Sequence, residues 1–201
     1  AVVMEYGLYY QGGAETFRRL LDSGNGQWLY TFQRLMRMVG RPSFLLYSFL
    51  LVEGFFHTRS RKRYTFQMLL FALISEIPFD LAASNRWFYL GYQNVFFEFL
   101  IGLTVLWGME QAVIFGKTPL TVEAGKIFAV ALGCMAAVFI QADYDYIGII
   151  IIAAFYEFHA SRVGRSLSAA VLGGLETLDL NFGIGALAAI PIWFYNGKRG
   201  N

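Results

Sequence analysis

The sequence predicts an all-α fold, a polytopic transmembrane helical bundle of about six to eight spans. Three observations predict it. Of the 201 residues, 57% are hydrophobic and only 15% are charged, too apolar a balance for a water-soluble domain of this size. The apolar residues fall in segments of about 15 to 22 residues, near the length that crosses a hydrocarbon core, with short polar stretches between them. The period-two alternation of barrel strands is absent, and backbone polar groups in lipid must be satisfied within the fold, which leaves helices.

Taken in order, "AVVMEYGLYY" reads as the second half of an apolar helix, so the chain 1–201 is expected to be one membrane domain whose first helix is incomplete. No charged region precedes an apolar core there, so no signal peptide is read. Next, "WLYTFQRLMRMVGR" sets Arg34 and Arg37 among Trp28, Tyr30 and Phe32. That pattern fits an interfacial amphipathic helix near residues 27–41, with its rings at headgroup level. Spans are expected at Ser43 to Phe56, Tyr64 to Ala83, Asn94 to Phe115, Gly125 to Ile140, Tyr146 to His159 and Phe182 to Tyr195. Pro78 should distort the second of these. Leu167 to Leu180 is either a further crossing or a re-entrant piece sheltered by protein. Cys134, inside "IFAVALGCMAAVFI", has neither a basic neighbour nor a metal-ligand spacing, so its role is packing.

Loop charges set the orientation. "HTRSRKR" carries Arg59, Arg61, Lys62 and Arg63 and belongs on the cytoplasmic side. Alternation then puts "ASNRW" and the acidic "QADYDY" outside, and Lys117, Lys126, Arg162 and Arg165 inside. The terminal "NGKRG" falls inside only if Leu167 to Leu180 crosses. The net charge of +2, with cations bunched beside apolar runs, leaves no case for nucleic-acid binding. No metal site, phosphate-cradling glycine loop or Ser/His/Asp arrangement stands out. The pairs Gly173 with Gly174 and Gly183 with Gly185 read as close helix packing.

What does stand out is a set of ionisable residues at membrane depth, where each costs about 2.5 to 3.5 kcal/mol to insert. Glu53 in "FLLVEGFFHT" precedes His57 by four residues, so both project from one helix face. Glu76 and Asp80 in "LISEIPFDLA" repeat that spacing, and Glu98, Glu110, Glu157 and His159 follow. Arg37 and Arg41, one turn apart, offer guanidinium forks for such carboxylates or for phosphates. Glu110, Arg86 and Arg165, near span ends, read as snorkelling residues. From the residues alone, the chain is a polytopic membrane protein with a buried polar site: an enzyme, a transporter or flippase, or a non-catalytic scaffold.

The stretch "RMVGRPSFLLYSFLLVEGFFHTRSRKRYTFQMLLFALISEIPFDLA" resembles the TraX family of bacterial membrane proteins. Its pattern runs through Gly-Arg, Val-Glu-Gly, His-Thr-Arg and Ser-Glu-Ile-Pro-Phe-Asp, followed in order by "NVFFEFLIGL", "DYDYIGIIIIAAFYEF" and "YNGKRG". The resemblance implies a multi-pass enzyme of the bacterial cytoplasmic (inner) membrane that moves an acetyl group from acetyl-CoA to an acceptor. The acceptor would be a pilin-like N-terminal amine, or a hydroxyl of a glycan or small molecule, with membrane lipid as the surrounding partner. On that footing the loop residues His57, Arg59, Arg61, Lys62 and Arg63 would hold the CoA phosphates. Arg41, Glu53, Glu76, Asp80 and His57 would form the catalytic polar interior. The family pattern also has an Asp-His pair in the first helix, just ahead of where this sequence opens; the resemblance implies that this His is the base, with His57 or His159 as substitutes.

Overall fold

In the computed structural model, which describes residues 24–84, 86–89, 91–178 and 183–197, the apolar segments become helices. Among the described residues these are α1 (Gly24–His57), α2 (Arg61–Ser84), α3 (Val95–Phe115), α4 (Pro119–Ile140), α5 (Asp145–Glu157) and α6 (Arg162–Glu176). A 3-10 turn (Ile184–Ala188) then leads directly into α7 (Ala189–Phe194). The helix expected at the N-terminus and the tail cations Lys198 and Arg199 lie outside the described residues.

Local chemistry explains the boundaries. Asn94 caps α3 by accepting the Phe96 amide. Thr118 and Thr121 form a reciprocal capping box ahead of Pro119, so α4 begins six residues before the point expected from hydropathy. Ser161 caps α6 by accepting the Gly164 amide, so the ambiguous segment starts at Arg162 and ends at Glu176. The expected interfacial helix is not a separate element. Residues 24–57 form a single helix that continues through Pro42, which removes one backbone hydrogen bond without ending the helix. Its environment changes at that proline: Trp28, Phe32, Leu35, Met36 and Val39 are exposed, whereas Phe44, Leu45, Phe49 and Val52 are buried.

Successive helices run antiparallel, and two sets of cross-links define the two ends of the bundle. At one end Glu53 of α1 meets His159 after α5 and Arg165 of α6, Arg61 of α2 meets Glu110 of α3, and Lys126 of α4 meets Glu157 of α5. At the other, Arg41 of α1 meets Glu176 of α6, Asn94 before α3 meets Glu76 of α2, and Gln93 pairs its backbone with Gln141 after α4. The first is here called the basic end and the second the acidic end. Between them lies a core that includes Leu45, Phe55, Leu103, Leu106, Ile149, Ile152 and Phe155.

The outer surface is apolar while carboxylates lie within. On α2 the inward stripe is Ala72, Glu76 and Asp80, and Phe66, Leu70, Phe71, Ile74 and Ile77 face out. Helices α3 and α4 are long and apolar enough to cross a membrane. Only 11% of the apolar window of α4 is buried, so that helix is not the covered core of a water-soluble fold. Helices α5 and α6, with 13 and 15 residues, are shorter than a full span. Where α6 meets the 3-10 turn the backbones approach closely: a Cβ on Gly185 would lie 2.3 Å from the Gly173 carbonyl oxygen.

Candidate functional site

Glu53 sits one turn before the end of α1 and is 5% exposed. The helical spacing expected from sequence does bring His57 beside it, with Nδ1 3.7 Å from Oε2. The same Nδ1 lies 2.8 Å from the Glu53 main-chain oxygen. A carbonyl oxygen only accepts, so His57 donates from Nδ1 in this contact. His57 is the exposed member of the pair.

Three further groups converge on the carboxylate from elements remote in sequence. His159, in the turn after α5, places Nε2 3.1 Å from Glu53 Oε1, within ion-pair range. Arg165, one turn into α6, places Nη1 3.8 Å from the same oxygen. Tyr195, just past α7, donates its hydroxyl to Oε2 at 3.2 Å. Arg165 also donates from Nη2 to the Tyr195 carbonyl at 2.8 Å, and its guanidinium lies 5.5 Å from the ring centroids of both Phe49 and Tyr195. Arg165, expected to be a snorkelling end residue, is instead a part-buried clamp. The His159 ring packs 4.0 Å from Phe56, which fixes its plane. An imidazole oriented by a buried carboxylate is the arrangement of a general base with an orienting acid.

Beside this cluster the loop between α1 and α2 is flanked by two cavities of about 490 Å³ each. One is lined by Arg59, Arg63, Tyr64 and Gln67, the other by Arg61, Lys62, Trp107, Glu110 and Gln111, and both share Thr58, Arg59 and Ser60. All four basic residues of "HTRSRKR" therefore line an open, positively charged surface. Arg61 differs from the others: it pairs with Glu110 and sits 4.5 Å over the Phe55 ring. Tyr64 lies against Gly54, where a Cβ would come 2.7 Å from its hydroxyl, so the glycine next to Glu53 lets α2 approach α1 at this point.

Arg41, Glu76 and Asp80 do not join the site. Arg41 precedes Glu53 by twelve residues, about 18 Å along a helix, because the two are several turns apart on α1. It pairs with Glu176 at 2.9 Å and faces Asp143, whose carboxyl accepts the Tyr92 hydroxyl. Burial pushes the Asp143 carboxyl up from its ordinary range, against the pull of Tyr92 and Arg41, and pushes the Tyr144 phenol up to about 12. Glu76 accepts from the Asn94 side chain and main-chain amide, and Asp80 accepts the Tyr89 amide at 2.7 Å. Glu98, fully buried in the first turn of α3, makes no hydrogen bond on either oxygen, and a Cβ on Gly148 would lie 2.5 Å from its Oε1. The expected single site thus resolves into a histidine-bearing centre at the basic end and a carboxylate network at the acidic end. Among the described residues no cluster of His, Cys, Asp and Glu fits a metal ion.

Comparison with known proteins gives two matches. The family model described as "TraX protein" matches residues 19–192. The probable fimbrial assembly protein FimC, serogroup H1, of Dichelobacter nodosus is 27% identical over 200 residues, covering 90% of this chain and 78% of that relative. No solved structure matches.

Proposed function

From the premise that this chain belongs to the TraX family, we propose that it is a multi-pass acetyltransferase of the bacterial cytoplasmic membrane that uses acetyl-CoA as donor. The carrying observation is the buried Glu53 that holds His159 at the same end as the basic cavities. A thioester donor needs cations for its phosphates and a base for the acceptor, and the basic end supplies both within one region. About six to eight crossings remain our reading of the antiparallel helices, with the basic end in the cytoplasm, where acetyl-CoA is made, because its loops carry the Lys/Arg excess.

In the reaction, neutral His159 takes a proton from the acceptor amine as its nitrogen attacks the thioester carbonyl. The new C–N bond forms, the C–S bond breaks, and CoA leaves as a thiolate that is protonated by the imidazolium. Glu53 stabilises that imidazolium, and Arg165 and Tyr195 hold the carboxylate in place. The cations of the α1–α2 loop, Arg59, Arg61, Lys62 and Arg63, draw the phosphates to this end of the bundle. The acceptor we favour is the N-terminal amine of a pilin-like protein, a reading supported by the fimbrial assembly named in the relative.

The test is incubation of the purified protein with radiolabelled acetyl-CoA and membrane extract. Label appearing in a small membrane protein with a newly blocked N-terminus is the expected result. Label in glycan or small molecule would move the acceptor to a hydroxyl. No labelled product with folded protein would favour a transporter or scaffold.

A further inference from the structure

The two cavities beside the α1–α2 loop differ in what they offer. Resting on the acetyl-CoA reading, we propose that the cavity against α3 holds the nucleotide half of the donor, with its purine on Trp107 and its phosphates on Arg59 and Lys62. Trp107 and Gln111 both line it and, four residues apart, lie on one face of α3. An indole plane stacks on a purine regardless of its orientation. Gln111 carries one amide donor and one acceptor group, the pair that matches the polar edge of adenine. The Trp107 indole Nε1 is buried and makes no hydrogen bond in the protein, a donor the chain itself does not use. Among the described residues Arg59 and Lys62 form no ion pair, whereas Arg61 neutralises Glu110 and so removes the negative charge that would repel phosphate.

Packed rings lie between this cavity and His159: Arg61 lies 4.5 Å over Phe55, Phe55 is 5.9 Å from Phe56, and Phe56 is 4.0 Å from the His159 ring. The other cavity has Tyr64 as its aromatic, and the hydroxyl of that ring faces Gly54 and the Leu51 carbonyl rather than a ligand.

Two measurements on the full chain in nanodiscs test the proposal: calorimetric binding of adenosine 3′,5′-bisphosphate, and the kcat/KM ratio for acetyl-CoA over S-acetyl-pantetheine. Trp107→Leu should weaken bisphosphate binding and lower the donor ratio by about tenfold to a hundredfold, through KM for acetyl-CoA, while Trp107→Phe, which keeps a stacking plane, restores most of both. Unchanged binding and ratio in Trp107→Leu, with acetyl transfer intact, would place the nucleotide elsewhere and overturn the inference alone. Bisphosphate binding that depends on Trp107, without acetyl transfer from either donor, would sustain the inference and sink the acetyltransferase reading. Neither binding nor transfer in the folded wild type would overturn both.

Discussion

The basic and acidic ends solve the same problem, a carboxylate inside an apolar bundle, in opposite ways. At the basic end Glu53 is met by two histidines, an arginine and a tyrosine, and open charged cavities lie beside it. At the acidic end Glu76, Asp80, Glu98, Asp143 and Glu176 are sealed by packing: Phe44 stacks on Tyr144 with centroids 3.6 Å apart, and Gly148 presses against Glu98. The difference teaches that a buried carboxylate is not by itself a sign of catalysis. Glu53 faces ionisable side chains that a ligand can approach, while Glu76 and Asp80 accept from main-chain and amide donors.

Glu53→Gln breaks the comparison most sharply. It keeps the shape and can still accept the Tyr195 hydroxyl, but it no longer stabilises a charged His159. Acetyl transfer should fall by about 10² to 10⁴-fold at unchanged membrane insertion, read by initial rates with labelled acetyl-CoA. Arg41→Gln is the counterpart at the acidic end. It leaves Glu176 buried without its ion-pair partner, which should cost about 3 kcal/mol in an SDS unfolding titration, while activity per folded molecule stays within about twofold. If Arg41→Gln instead stopped transfer in fully folded protein, the division between ends would be wrong.

The contrast was partly legible in the sequence. The helices were, because apolar segment length survives without knowledge of packing, and the Glu53–His57 pair was, because helical spacing is local. The convergence of His159, Arg165 and Tyr195 was not, since each comes from a different element and their meeting depends on how α5, α6 and α7 pack on α1. A signal did exist. The loop-charge reading placed "HTRSRKR", Arg162 and Arg165 on one face, and added the C-terminal "NGKRG" only if Leu167 to Leu180 crosses. Grouping Arg41 with Glu53 failed for the complementary reason: α1 is one unbroken helix there, and its rise separates the two.

Helix packing near the acidic end supplies a test of intermediate size. A methyl on Gly173 would come 2.4 Å from Leu45 Cδ2 and 2.9 Å from the Gly185 carbonyl, and main chain cannot move aside as a side chain can. Gly173→Ala should therefore destabilise by about 1 to 3 kcal/mol in the same titration, with kcat of the folded fraction retained. An undiminished midpoint would mean that α6 and the 3-10 turn do not approach as closely as described.

The smallest effect is expected where the charge looks most costly. Glu98 is fully buried, no side chain among the described residues pairs with either of its oxygens, and Gly148 lies tight against Oε1. Glu98→Gln keeps the volume and removes a group whose ionised form has no partner, so stability should rise or stay level, by at most about 1 kcal/mol. Transfer should be unaffected, because no element of the histidine cluster touches this residue. A folded Glu98→Gln variant that lost acetyl transfer would show a functional carboxylate at the acidic end, and a proton route between the two ends would then have to replace the separation drawn here.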